Sequence, residues 1–214
     1  MGFTFAIFDM DGTLVDSMGY WDAVCAEFLT ELGVYSEEVF DQLKPMTVPQ
    51  SAEFLKTEFG ISRSPQEVIE RMCAIMQAHY ENDVQPKSGV YDFLDALQQR
   101  GVRMCVASST PVYLIDICLK RLQMRRYFDF LLSAEEVGTG KNEPYIYLET
   151  AKRLGAKPAE TMVFEDAMIA GITAKRAGFR TAAIYDENSA QEWDAFSAQT
   201  DFAFADWHEA LKAL

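Results

Sequence analysis

Asp9 and Asp11 stand one residue apart at the end of an apolar run, in the stretch "FAIFDMDGTLVDS" at residues 5–17. Like charges that close repel, so the pair suggests a place where a cation or a phosphoryl group brings both carboxylates into use. Three later stretches carry matching chemistry: "VASST" at 106–110, "GKNEP" at 140–144 and "VFEDAMIAG" at 163–171. Among their side chains are the adjacent hydroxyls of Ser108 and Ser109, the ammonium of Lys141 and the adjacent carboxylates of Glu165 and Asp166. Carboxylates without thiolate or imidazole select a hard ion, and sharing it with phosphate oxygens favours Mg²⁺. Asp9, Asp11, Asp166 and Glu165 are its candidate ligands.

Such a set suits phosphoryl transfer, which needs an in-line nucleophile, neutralised equatorial oxygens and a proton for the leaving group. Asp9 can attack phosphorus and become an aspartyl phosphate. Asp11 can protonate the leaving alcohol and then deprotonate water. That role requires it to start protonated, and crowding by the other carboxylates pushes it that way. Ser108 and the free amides after its strand, Ser109 among them, can cradle phosphoryl oxygens, and Lys141 adds a second positive centre. Gly12 permits a tight turn that returns Asp11 to the site. A calcium-loop reading of the first stretch fails, because Leu14 stands where the sharp-turn glycine belongs and Tyr20 where the bidentate glutamate belongs.

The elements that must position these residues are legible from periodicity. Beyond residue 86, apolar strands alternate with amphipathic helices: helix 90–100, "VRMCVAS", helix 111–122, "FDFLLS", helix 144–154, "TMVFED", helix 168–177, "RTAAIY", a short helix near 190, an edge strand "FAFA" and a final helix. With a first strand over 3–9, this alternation predicts an α/β fold, a doubly wound parallel sheet of Rossmann-like kind. Ligands of such sheets sit beyond the carboxyl ends of the strands, where Asp9, Ser108 and Asp166 all fall. Residues 18–84 contain helical patterns only and predict an inserted α-helical cap. The core is then 1–17 with 85–214, and the hinges lie near 16–18 and 85–89. A lid must present side chains to a leaving group, and Tyr20, Trp21 and Lys44 are the candidates.

Taken together, the four stretches resemble the four motifs of the haloacid dehalogenase superfamily, in its phosphatase and β-phosphoglucomutase-like branch with a helical cap after the first motif. The resemblance covers the whole chain. It implies Asp9 as nucleophile and metal ligand, and Asp11 as acid/base that also offers its backbone carbonyl to Mg²⁺. It further implies Ser108 and Lys141 as phosphate binders, Asp166 as the remaining ligand, Glu165 as its support, and strand order 3-2-1-4-5 extended by an edge strand. Asn142 stands where the third motif commonly has proline, and Ala167 where the fourth often has serine. Trp21 and Val48 occupy places where mutases commonly carry histidine and arginine, which favours a phosphatase over a mutase. A non-catalytic binding protein of the same fold is the third reading, and the complete motif set argues against it.

Composition bounds the rest. Nineteen Lys and Arg against 33 Asp and Glu give a net charge of -14 with no basic run, which argues against nucleic acid and an anionic membrane surface. No apolar run reaches membrane-spanning length. Four scattered cysteines without a CxxC spacing read as reduced core thiols in a cytoplasm, and two histidines make a histidine zinc site improbable. The expected protein is a cytoplasmic monomer acting on a small phosphorylated metabolite.

Overall fold

The computed structural model describes residues 2–43 and 48–214, with backbone alone at 48–50. The chain opens with β1 (Phe5–Phe8) and the two-residue β2 (Val15–Asp16). Four helices follow, α1 (Met18–Glu31), α2 (Glu37–Leu43), α3 (Val48–Phe59) and α4 (Pro65–Asn82). After the short β3 (Gln85–Pro86) come α5 (Val90–Gln99), β4 (Arg103–Ser108), α6 (Val112–Arg121), β5 (Leu131–Ser133), α7 (Ala134–Val137) and α8 (Tyr145–Leu154). The chain closes with β6 (Thr161–Glu165), α9 (Met168–Arg176), β7 (Arg180–Ile184), α10 (Trp193–Ser197), β8 (Phe202–Phe204) and α11 (Trp207–Lys212). Two compact units result, Met1–Ser17 with Gln85–Leu214, and Met18–Val84.

In the first unit six strands pair in parallel in the order β5-β4-β1-β6-β7-β8. Numbered without the two-residue strands, that is the expected 3-2-1-4-5 order with its edge strand. β2 and β3 pair antiparallel as a separate ribbon, Val15 opposite Pro86. The β5 segment is shorter than the six residues of "FDFLLS": its register with β4 runs over Leu131–Ser133, and before it the Asp129 amide donates to the Met104 carbonyl at 2.8 Å.

Register explains the two-sided core. Ile7 lies beside Cys105 and Val163, and Phe8 beside Val106 and Phe164. Successive strand residues face opposite sides, so these rows point apart. Ile7, Cys105 and Val163 join Ile146, Tyr147, Leu154 and Phe179 in one buried cluster. On the other side Phe8 stacks on Phe164 at 4.8 Å, and Phe93 meets Trp207 at 4.7 Å. Both faces are covered, as a parallel sheet requires.

Among its described residues the second unit has helices and no strand. Its longest helix, α4, starts at a capping box in which Ser64 and Glu67 bond reciprocally, with Pro65 in the first turn. Val68, Met72, Ile75, Met76 and Tyr80 form its buried stripe at helical spacing. Glu31 in α1 accepts from Arg63 at 2.7 Å and Arg71 at 2.8 Å, tying α1 to the α4 end. All four cysteines are free; Cys73, Cys105 and Cys118 are buried, whereas Cys25 is only half-buried, a departure from four core thiols.

Candidate active site

Four chain segments deliver the site to one edge of the sheet. β1 continues its ladder one residue past its end, where the Asp9 amide donates to the Phe164 carbonyl at 3.0 Å. The chain then turns on the Met10 carbonyl, which accepts from Leu14 at 2.8 Å and Val15 at 3.1 Å. Gly12 takes φ 77° at this turn, a left-handed conformation that a side chain disfavours. β4 ends at Ser108, the loop before α8 carries Lys141, and β6 ends at Glu165 with Asp166 one residue on. Asp9, Ser108, Lys141, Glu165 and Asp166 are all buried.

Lys141 is the centre of the arrangement. Its Nζ donates to Asp9 Oδ1 at 2.5 Å and to Glu165 Oε1 at 2.7 Å. Oxygens of Asp9, Glu165 and Asp166 lie within 4.8 Å of one another. Three buried carboxylates thus cluster beside one buried ammonium, a charge set that is one-sided unless protons or a cation intervene. Burial is the main cause that raises Asp9 from 3.8 to about 6; Lys141 opposes the rise and Glu165 adds to it. Asp166 is raised well above the ordinary aspartate range, by burial first and then by Asp9 and Glu165, while Thr13 Oγ1, donating at 2.9 Å, works against the rise. Burial pulls Lys141 down, but the carboxylates of Asp9 and Glu165 outweigh it and hold the ammonium above its usual range.

These observations test the fit to a divalent cation. All donors are carboxylate oxygens, two of them are pushed toward the protonated form, and Glu165 Oε2 is buried with no hydrogen-bond partner. A buried carboxylate oxygen without a donor is costly, and a hard ion accepting oxygen ligands removes that cost. The residues fit such an ion.

Asp11 is not one of the three acids whose oxygens lie within 4.8 Å of one another. Its Oδ1 accepts from Ser17 Oγ at 2.6 Å and its Oδ2 from Thr110 Oγ1 at 2.7 Å. The three clustered carboxylates are therefore Asp9, Glu165 and Asp166, and two hydroxyls are among the groups that hold the Asp11 carboxylate. Ser108 does not cap α6, whose first turn starts at Pro111 without a side-chain cap. Its Oγ instead accepts from the Thr110 amide at 3.1 Å, which closes the loop around the exposed Ser109.

The residues nominated in the helical unit make contacts inside that unit. The Tyr20 ring lies 4.9 Å from the His79 ring, and Trp21 Nε1 donates to the Tyr80 hydroxyl at 3.3 Å, so both join α1 to α4. Lys44 lies outside the described residues.

Several contributors were not foreseen. Thr13, Ser17 and Thr110 lie within or beside the quoted stretches, so hydroxyls flanking the motif acids were the available signal. Tyr147 donates to Glu165 Oε1 at 2.7 Å, and nothing in its helical surroundings marks it. Asp186, buried just past β7, accepts from Lys87 Nζ at 2.5 Å; its place after a strand end was the available hint.

Comparison with known proteins follows the same lines. Residues 6–184 match the family described as haloacid dehalogenase-like hydrolase. Hexitol phosphatase B of Escherichia coli (strain K12) is 29% identical over 188 residues, covering 84% of this chain and 82% of that protein. A phosphorylated carbohydrates phosphatase of Thermotoga maritima is 27% identical over 173 residues, covering 80% of each. Among solved structures, CbbY from Rhodobacter sphaeroides in complex with phosphate superposes with a TM-score of 0.86 at 20% identity, covering 99% of this chain and 100% of that one, a likeness of fold. Among the described residues no helix is long and apolar enough to cross a membrane.

Proposed function

Because the chain belongs to the haloacid dehalogenase-like hydrolase family, as a phosphoric monoester hydrolase, we propose that it hydrolyses a small phosphorylated carbohydrate through an aspartyl-phosphate intermediate. The observation that carries this reading is Lys141 Nζ bridging Asp9 Oδ1 and Glu165 Oε1, with Asp166 in the same cluster. The sugar-phosphate class draws support from the names of the hexitol and carbohydrate phosphatases to which the chain is similar.

Asp9 attacks phosphorus, and the bond to the leaving oxygen breaks as Asp11 hands that oxygen a proton. Asp11 then takes a proton from water, whose oxygen attacks the phosphorus of the aspartyl phosphate, and the bond to Asp9 breaks to release orthophosphate. Ser108, Ser109 and Lys141 hold the equatorial oxygens throughout. Asp9, Asp166, Glu165 and the Asp11 carbonyl would hold Mg²⁺, which when bound neutralises phosphoryl charge and orients the group. Before the first step Asp11 must carry a proton, and the Ser17 and Thr110 hydroxyls that donate to it orient its carboxyl group.

Residues 18–84 act as the cap over this core in our reading, with Tyr20, Trp21 and Lys44 as contacts for the leaving group. Cap closure excludes water from the first transfer and admits it for the second. The protein works as a cytoplasmic monomer.

A phosphate-release screen over hexitol phosphates, sugar phosphates, nucleotides and glycolytic-type phosphates, with and without Mg²⁺, tests the proposal. Release from phosphorylated carbohydrates that stops on chelation is expected. No release from any substrate in the presence of Mg²⁺ overturns it. Conversion of β-glucose 1-phosphate without free phosphate assigns the same core to a mutase instead.

A further inference from the structure

Tyr147 is a buried side chain in α8 whose ring belongs to the apolar cluster beneath the sheet, 6.2 Å from the ring of Phe179. Packing alone asks only for a ring there, and phenylalanine would fill the space. The hydroxyl is placed otherwise. It donates to Glu165 Oε1 at 2.7 Å, and that same oxygen accepts from Lys141 Nζ at 2.7 Å. Glu165 Oε2 has no partner and is buried. One carboxylate thus has two donors on one oxygen and none on the other, although each oxygen can accept equally well.

The geometry points to Tyr147 as a positioning residue that saturates Oε1 of Glu165, leaves Oε2 as the oxygen available to a divalent cation, and steadies Lys141 between Glu165 and Asp9. This inference rests on the reading of the cluster as a cation and phosphoryl site. The physical basis is directional. A glutamate terminal torsion is broad and two-fold, so without a second donor the carboxylate plane turns about the single contact to Lys141. A ring anchored in the core aims its hydroxyl with little freedom of its own, and such outer partners orient metal ligands.

Tyr147→Phe keeps the ring and removes the donor. On the whole chain, Mg²⁺ binding measured by calorimetry weakens about 10-fold. In steady-state hydrolysis at saturating Mg²⁺, kcat falls by a larger factor than KM for the phosphomonoester changes, because the Tyr147 hydroxyl itself is directed to Glu165 and not to substrate. A purely structural tyrosine would shift the unfolding midpoint and leave Mg²⁺ affinity alone. Glu165→Gln and the double variant complete the cycle: if Tyr147 acts through Glu165, the double variant binds Mg²⁺ no more weakly than Glu165→Gln. A wild type that binds Mg²⁺ together with a Tyr147→Phe variant of equal affinity, or fully additive losses in the cycle, overturns this inference alone. A wild type that neither binds Mg²⁺ nor releases phosphate overturns it together with the proposed function.

Discussion

Trp207 donates its indole Nε1–H to the backbone carbonyl of Thr13 at 3.0 Å, a buried contact across 194 positions of sequence. Thr13 in turn gives its hydroxyl to Asp166 at 2.9 Å. The last helix of the chain therefore braces the turn that follows Asp9, and through it one of the clustered carboxylates. The indole is also packed against Phe8, Phe93 and Phe164, at 5.8, 4.7 and 5.3 Å between ring centroids.

Replacing Trp207 by Phe leaves the Thr13 carbonyl buried without its donor and opens space among the rings. A loss of about 2–4 kcal/mol is expected, readable as a lower midpoint in urea unfolding. Phosphate release falls as well, since Asp166 loses its steadied neighbour. A variant with the wild-type midpoint would show that the indole contact contributes nothing.

Asp9→Asn removes the nucleophile and keeps its shape. Turnover drops by on the order of 10⁴-fold or more. The fold survives, because Lys141 keeps Glu165 as a partner and one carboxylate leaves a repelling group. Circular dichroism and phosphate release on the same sample check both halves, and turnover near that of wild type contradicts a phosphorylated Asp9.

The raised carboxyls make a prediction about pH and metal. Asp9 moves from 3.8 unfolded to about 6 folded, mainly through burial, and Asp166 moves the same way. As pH rises across that interval the unfolded chain releases its protons first, so the folded state binds more of them and metal-free stability falls. A cation that binds the ionised pair opposes this loss. Thermal melts in chelator and in Mg²⁺ are expected to differ more at about pH 7.5 than at about pH 5. An equal increment at both values, or metal-free stability that climbs through this range, goes against the clustered carboxylates as described.

Gly171 in α9 has no room for a side chain: an added Cβ would sit 2.5 Å from Cε2 and Cζ of the buried Phe196. Gly171→Ala gains up to about 1 kcal/mol of helix propensity but forces the ring aside, at a cost of about 1–3 kcal/mol. Net destabilisation follows, and Phe196→Leu in the same chain recovers part of it. Chemical denaturation of the single and double variants decides the matter; a more stable Gly171→Ala contradicts the close approach.

The α/β fold was legible in the sequence for local reasons. The alternation of apolar runs and helical stripes implied a parallel sheet, and a parallel sheet with right-handed crossovers gathers its strand ends at one edge, so Asp9, Ser108 and Asp166 were expected there before any coordinate was known. The helical span 18–84 carried its own caps and stripes. What had no local signature was which acid would touch which base. The Asp11 carboxylate accepts from Ser17 and Thr110, and the Tyr147 hydroxyl reaches Glu165, neither of which helical or strand periodicity encodes.

The amino-acid sequence by itself determined the order of the elements, the identity of the acids, hydroxyls and lysine, and the sheet edge where they meet, because periodicity and turn chemistry act over a few residues. Tertiary structure alone decided that Lys141 bridges Asp9 and Glu165, that Glu165 keeps one unpartnered oxygen, and that Trp207 supports Thr13. Such contacts depend on ångström distances between segments far apart in the chain, and burial then turns those distances into charge states that no local pattern encodes.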